Sequence, residues 1–570
     1  MLLTLSQLPE EASFDVVVVG AGGAGMVAAL LSATRGLKVL LVEHTKYVGG
    51  TTALSAGSAW IPNTIHAANA SPPDSIERAA TYLRHAVGNL SSEEMRSAFL
   101  DHGPKAVAEL EARTEVKFRA RSLHPDYRTE LEGSTLCGRV LEAVPFDGRK
   151  LGNLMSIIRE PIPEFTVLGG MMVNQEDVAH LVRMSRSWTS FRHGMKIILR
   201  HARDRLSYRR GTRLMMGNAL VGRLLFSLDQ QDVPILIEAK VTHIDAGSGR
   251  IGAVSIEQHG QVRRIEVKRG LVMATGGFNR HPELRNELLR KPVAAYCPGA
   301  PGHTGQLHEL VAELGARYGD GPADSAFWAP VSVRQRPDGS TAVFPHFLLD
   351  RGKPGIVAVN AKGRRFVNEA VSYHPFVEGM YQLIDGEPSI PAFLITDANG
   401  LWKYGLGMVR PGPWSKAKYL ADGYLVKAGS LKELAAKLGV TPDGLAQTVE
   451  RMNFYAKTGV DEEFGRGSTD YQRITAGDLS HKPNPCLGPI EQPPFYAVKL
   501  YPGDIGASRG FVTDSNAQVL AGDNTPIVGL YACGNDMNSV MGGKYPGPGI
   551  TIGPGIAFAY AAVNHLSRPA

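Results

Sequence analysis

A chain of 570 residues, 43% of them hydrophobic, can bury a large core and divide into more than one folding unit, which excludes both a small single domain and a disordered chain. A net charge of +6 spread over that length lacks the clustered basic character that nucleic-acid binding requires. The four cysteines, Cys137, Cys297, Cys486 and Cys533, have no zinc or iron–sulfur spacing, so no metal is expected and a reducing cytoplasmic compartment fits. Residues 1–14 carry Glu10 and Glu11 and no basic-then-apolar run, so no signal peptide is expected, and no apolar stretch is long enough to span a membrane.

In chain order, the Val-rich run 14–19 enters a glycine cluster and then an Ala/Leu-rich segment, 26–34, which predicts strand, turn and helix. A second strand is expected over 38–42. Short β-branched runs between 235 and 277 end at Ala274-Thr275-Gly276-Gly277 and predict a sheet returning to this fold. From about 279 to about 485 the composition turns richer in proline, aromatic residues and amphipathic segments, the mark of an inserted domain. The segments 484–510 and 527–562 read as strand and strand–turn–helix pieces that complete the first domain. The expected organisation is α/β: a Rossmann-like dinucleotide-binding domain over 1–285 and 486–570, with an α+β insertion over 286–485.

Gly20-Ala21-Gly22-Gly23-Ala24-Gly25 follows a strand and opens a helix, the context that gives GxGxxG its meaning. Gly20 permits the tight turn, Gly22 lets the backbone approach a pyrophosphate, and Gly25 lets helix and strand pack, with the helix N-terminus facing the phosphates. Glu43, 23 positions after Gly20, stands where an acid would bind a ribose diol. A plain NAD domain has no need of the second polar glycine stretch, Gly49-Gly50-Thr51-Thr52 with Ser55-Ala56-Gly57. At the other end, Gly529 to Asn535 precedes a Gly/Pro-rich run and a small-residue helix, so both ends are built around one long cofactor.

With these motifs in order, the chain resembles the fumarate reductase/3-ketosteroid dehydrogenase class of FAD flavoproteins over nearly its whole length. The resemblance assigns cofactor contacts to the fingerprint, to Glu43, Gly50, Thr51, Thr52, Ser55, Ala56 and Gly57, to Val241, to Ala274, Thr275 and Gly276, and to Gly534, Asn535, Thr551 and Ile552. It implies FAD bound noncovalently, hydride exchange at flavin N5, and an electron acceptor that the sequence does not name. Gly363 to Glu369 resembles the motif before the catalytic position, where fumarate reductases place an Arg proton donor; here Tyr373 and His374 stand instead. A dicarboxylate needs that cation, so fumarate chemistry ranks low.

Tyr545-Pro546-Gly547-Pro548-Gly549 resembles 3-ketosteroid Δ1-dehydrogenases, in which the tyrosine hydroxyl and the last glycine's N–H bind the substrate ketone. Two such donors would stabilise a developing enolate, each contributing on the order of a hundredfold or more in rate. The same resemblance makes Tyr373 the base at C2 and Tyr127, in His124-Pro125-Asp126-Tyr127, its hydrogen-bonding partner. A free tyrosine has a pKa of about 10, so a base working near neutrality needs help of roughly 3 units, about 4 kcal/mol. The implied reaction is 1,2-desaturation of a 3-ketosteroid. Its alternatives are a smaller ketone such as 4-oxocyclohexanecarboxylate, with Arg509 on the carboxylate; Δ4-(5α) desaturation; or a flavin electron carrier without ketone chemistry.

The segment 157–223 is longer than the compact members need, and 183–213 mixes many arginines with Trp188, Phe191 and Met195. A basic helix of that kind can lie on an anionic membrane surface, although a solvated face or a subunit contact is the blander expectation.

Overall fold

The valines that lead into the glycine cluster form the strand Ser13–Val19, and the helix Gly23–Thr34 follows after a turn of three residues. This computed structural model describes residues 1–69, 73–321, 323–347 and 350–569. The strand is buried along its C-terminal run, with the helix Gly23–Thr34 packed against it, which accounts for its unbroken apolar run. It lies between Val39–Val42 and Gln261–Met273, parallel to both, and Pro526–Ala532 adds a further parallel strand beside the end of Gln261–Met273. Two regions some 500 residues apart therefore share one sheet, as the sequence predicts for a domain completed by its C-terminus. The helix Ile552–Leu566 packs on Gly23–Thr34 and closes that side.

The second sheet is antiparallel, ordered Thr341–Pro345, Ala326–Gln335, Phe495–Ala507, Ala392–Thr396 and Ile356–Val359. Its central strand Phe495–Ala507 pairs with Ala326–Gln335 on one side and Ala392–Thr396 on the other. The boundary expected at 485 is thus too early. Residues 495–507 are largely buried on both faces because they sit in the middle of this sheet, and composition cannot tell that from a strand of the nucleotide fold. The helix Tyr373–Tyr381 lies against Ala326–Gln335 and carries its first residue to the seam between the two domains.

The long segment after 157 forms an excursion of two helices, Gln175–Val182 and Trp188–Asp204, over a small cluster of Met171, Val173 and Ile197. Among the described residues no helix is long and apolar enough to cross a membrane.

Candidate active site

A cleft runs along the ends of the parallel strands, the place where ligands bind in open α/β sheets. Gly20, Gly22, Gly23 and Ala24 line it, with Glu43, Gly50, Thr51, Thr52, Ser55, Ala274, Thr275, Gly276, Gly534, Asn535, Thr551 and Ile552. The glycines divide their work as the fingerprint requires. A Cβ on Gly25 would stand 1.9 Å from the Gly20 carbonyl oxygen, so this position serves close packing. At Gly22 a Cβ would meet nothing within 4 Å, so its missing side chain leaves space in the cleft itself. Glu43 accepts from Ala21 N at 2.9 Å with one oxygen and from Thr45 N and Oγ1 with the other, which fixes the carboxylate at the cleft wall. Buried Asp536 ties the two ends of the fold together, accepting from Thr275 Oγ1, from Gly277 N at 2.8 Å and from His308 Nε2 at 2.8 Å.

Five expected contacts lie outside the cleft. Ala21 is turned into the fold with its N–H on Glu43, and Gly25 is the packing position. Gly57 abuts Met216 and Gly217, Ala56 is exposed, and Val241 is buried in a strand paired with Ile256. In the other direction, Arg159, Ala300, Gly302, His303, Ile505 and Gly555 line the cleft without having been expected there. The run 299–303 was allotted to the insertion, and its Gly-Ala-Pro-Gly turn was the available signal. Arg159 stands in no motif.

The group these walls fit is a dinucleotide. Arg159 Nε and His303 Nδ1 are buried without a hydrogen-bond partner among the described residues, two polar atoms left for a polar ligand. Arg159 Nη2 donates to Thr45 Oγ1 at 3.0 Å, and His303 Nε2 lies 3.2 Å from Thr51 Oγ1. Burial pushes the His303 imidazole down to about 4, so it meets a ligand neutral at ordinary pH. The helices Gly23–Thr34 and Ile552–Leu566 both open on the cleft with N-termini suited to anionic groups.

Beyond Asn535 and Thr551 a smaller cavity continues, lined mostly by apolar side chains that include Phe327, Met537, Val540, Ile550 and Pro554. Phe327 leads from it to the tyrosines, its ring edge-on to Tyr545 at 5.2 Å. Tyr127, Tyr373 and Tyr545, from three distant segments, converge there. Tyr127 Oη donates to Tyr373 Oη at 3.1 Å, and the Tyr545 ring lies 5.0 Å from that of Tyr373 and 5.9 Å from that of Tyr127. A fourth tyrosine, Tyr471, was not expected; its ring packs 4.9 Å from Tyr127.

Each member is held by its neighbours. Asp126 accepts from Trp60 Nε1 at 2.8 Å and pairs with Arg139 at 2.7 Å, fixing the residue before Tyr127, whose own N–H donates to Pro546 O at 2.9 Å. Gly549 is at φ +92°, and a Cβ there would stand 2.2 Å from Ser58 O; its N–H has no acceptor among the described residues. Tyr373 begins its helix, where the dipole favours an anion. Burial works the other way, holding the Tyr127 and Tyr373 hydroxyls well above the ordinary tyrosine range and pushing Tyr545 up to about 12. The lowered value expected of Tyr373 is therefore absent from the protein alone, because the phenols are desolvated together and no cation bonds to them.

His124 is buried with its imidazole pushed down to about 3 by burial and Arg121, and it makes no side-chain hydrogen bond to Tyr127. His374 accepts from Trp328 N at 3.2 Å through Nδ1, a packing role beside the cluster. Arg509 turns away: its Nε donates to Gly319 O and its guanidinium lies over the Tyr318 ring.

A cleft built from GxGxxG, an acid on the next strand and a C-terminal Gly-Asn turn defines a dinucleotide-binding flavoprotein. The chain matches the FAD binding domain family over residues 15–552 and belongs to it. It is 37% identical to the 4-oxocyclohex-2-ene-1-carboxylate 5-dehydrogenase of Sinomonas cyclohexanicum, over 97% of this chain and 94% of that one. It is 35% identical to the 3-oxosteroid 1-dehydrogenase of Mycobacterium tuberculosis, over 98% and 99% of the two chains. Its fold is similar to the crystal structure of 3-ketosteroid Δ1-dehydrogenase from Sterolibacterium denitrificans in complex with 1,4-androstadiene-3,17-dione, with a TM-score of 0.90, 33% identity and coverage of 97% and 99%.

Proposed function

We propose that the protein is an FAD-dependent dehydrogenase that removes the C1 and C2 hydrogens of a 3-ketosteroid. The observation that carries this reading is the convergence of Tyr127, Tyr373 and Tyr545 on one apolar site at the end of the cofactor cleft. Bound FAD supplies the hydride acceptor. Tyr545 Oη and Gly549 N–H polarise the ketone oxygen, and both are fixed before substrate arrives, so their charge stabilisation costs little reorganisation. Tyr373 takes the C2 proton, its anionic form supported by the hydrogen bond from Tyr127 and the helix N-terminus. The chain itself gains one proton per turnover and passes it on, while the substrate becomes a conjugated enone. Cofactor binding is noncovalent, since the stretch 49–58 holds no histidine to form a flavin link. All four cysteines are free, which suits a cytoplasmic enzyme. A steroid partitions into bilayers, so a contact of 183–213 with a membrane surface is coherent with this substrate.

A second reading, oxidation of a small 4-oxocyclohexane-type carboxylate, is favoured by the 37% identity to the Sinomonas enzyme. Against it stands Arg509, the cation that would have met the carboxylate, which is engaged with Gly319 and Tyr318. The two separate when the oxidised protein is mixed without oxygen with a Δ4-3-ketosteroid or with 4-oxocyclohexanecarboxylate. Flavin bleaching with loss of two hydrogens from the steroid supports the first reading. Bleaching by the carboxylate alone replaces it with the second.

A further inference from the structure

A charge buried in a protein is ordinarily paired with its opposite, because taking it out of water is costly. The arginines around the tyrosine cluster show this. Arg365 pairs with Glu369 at 2.7 Å and with Asp461 at 2.9 Å, and Arg466 pairs with Glu369 at 3.1 Å, so two cations and two acids close on one another. Arg139 pairs with Asp74 and Asp126. Arg351 is buried as well, yet among the described residues no carboxylate accepts from its side chain. Its neighbour Asp350 is engaged elsewhere, with Oδ2 lying 2.6 Å from His346 Nδ1 and accepting from Gly407 N at 2.9 Å.

The Arg351 guanidinium is held by backbone carbonyls. Nε donates to His346 O at 2.9 Å, Nη2 to Phe347 O at 2.8 Å, and Nη1 to Glu369 O at 3.1 Å and Val371 O at 3.3 Å. These carbonyls belong to the two segments that hold Tyr373. The Phe347 ring lies 5.0 Å from the Tyr373 ring, and Val371 stands two residues before Tyr373. The guanidinium carbon lies 4.7 Å from the centre of the Phe376 ring, on the same helix as Tyr373. Burial pulls the Arg351 pKa down, but an arginine stays protonated in a protein, so a whole positive charge remains here. That charge reaches the tyrosines. Tyr471 Oη is buried without a hydrogen-bond partner among the described residues; burial raises its pKa and Arg351 draws it back. The Tyr471 ring in turn packs on Tyr127, whose hydroxyl bonds to Tyr373.

We propose that Arg351 is a positioning residue for the base: it clasps the two segments that hold Tyr373, and its charge, which no carboxylate takes up among the described residues, favours the anionic form of the tyrosine cluster. This role rests on Tyr373 being the base at C2. A buried phenol that must ionise with no cation bonded to it needs positive potential from further off, and a fixed charge in a low-dielectric interior supplies it. A mechanical clasp alone has no need of a charge, and burying one is costly.

The test compares FAD-loaded wild type with R351M, R351Q and R351K. Each is mixed without oxygen with whichever ketone, a Δ4-3-ketosteroid or 4-oxocyclohexanecarboxylate, bleaches the wild-type flavin. Methionine and glutamine remove the charge, whereas lysine keeps it and loses the planar fork. At saturating ketone R351M and R351Q should bleach roughly a hundredfold more slowly than wild type, and R351K about tenfold faster than either, with ketone dissociation constants near the wild-type value. Deuterium on the carbon beside the carbonyl should slow bleaching more in the two neutral variants than in wild type, because proton abstraction becomes the slow step. Flavin spectrum and melting temperature are measured for each, and the second neutral variant keeps the comparison if the first does not hold FAD. R351K no faster than the neutral variants would overturn the role, leaving Arg351 a backbone clasp. Neutral variants that bleach at the wild-type rate would overturn it too. If neither ketone bleaches the wild type, the base itself falls and the role of Arg351 falls with it.

Discussion

The cofactor cleft and the tyrosine cluster meet end to end, yet they are built on opposite principles. The cleft is made mainly by backbone: turns without side chains, helix N-termini and a carboxylate pinned by amides. The cluster is made by side chains brought together from positions 127, 373 and 545, each held by a network of its own. A backbone site is broken by adding atoms. A side-chain site is broken by removing one.

The largest effect should follow from adding a Cβ where there is no room. Gly25→Ala, facing a carbonyl oxygen at 1.9 Å, should cost several kcal/mol and yield protein that neither folds cooperatively nor retains flavin, checked by thermal melting and the visible spectrum. Gly22→Ala has open space around its Cβ; it should melt near the wild-type temperature as apoprotein and lose FAD affinity, measured by flavin fluorescence on titration. If both variants fold and hold FAD, the division of labour among these glycines is wrong.

Within the cluster, Tyr373→Phe should lower kcat by about 10²–10⁴-fold while leaving the flavin spectrum intact. Tyr127→Phe removes one hydrogen bond to the base and should cost less, about ten- to a hundredfold in kcat. Equal losses in the two would mean that Tyr127 is more than a supporting donor.

The two regions should also part in their response to pH. The buried tyrosines have pKa values raised above the unfolded value, so their contribution to stability is complete below about pH 10 and is lost as pH rises through the folded values. Melting temperature should fall steeply in that alkaline range, and activity should rise with pH until unfolding intervenes, because ionisation of the pair supplies the base. In the cleft the sign reverses: His303 is depressed from 6.5 to about 4, so its contribution is present above about 6.5 and lost as pH falls toward 4. Flavin release on acidification, followed by fluorescence, should shift to lower pH in His303→Gln, the smallest of these effects.

The same contrast explains what could be read from the sequence. The strand Ser13–Val19, the helix after it and the fingerprint part of the cleft lining are legible because turn geometry demands glycine at fixed local spacing, while the rest of the predicted lining comes from the family resemblance. Tyr127, Tyr373 and Tyr545 were reachable only through resemblance to a family; nothing local says that residues 246 apart share a hydrogen bond. Tyr471 and Arg159 carry no local signal because each acts alone, at a position set by long-range packing, whereas His303 follows the Gly-Ala-Pro-Gly turn that marks its segment. The domain edge at 485 failed for a related reason, since a strand apolar on both faces suits the middle of either sheet. The raised tyrosine pKa values depend on burial, which composition does not report.

The central claim is that Tyr373 abstracts the proton whose loss drives reduction of the cofactor. It is tested most directly by mixing oxidised wild-type protein and Tyr373→Phe with a Δ4-3-ketosteroid in the absence of oxygen, following the visible flavin absorbance and the product mass. The account predicts rapid bleaching with loss of two hydrogens in the wild type, and in the variant an unchanged starting spectrum, retained steroid binding and bleaching slower by orders of magnitude. Bleaching of the variant at the wild-type rate would contradict it.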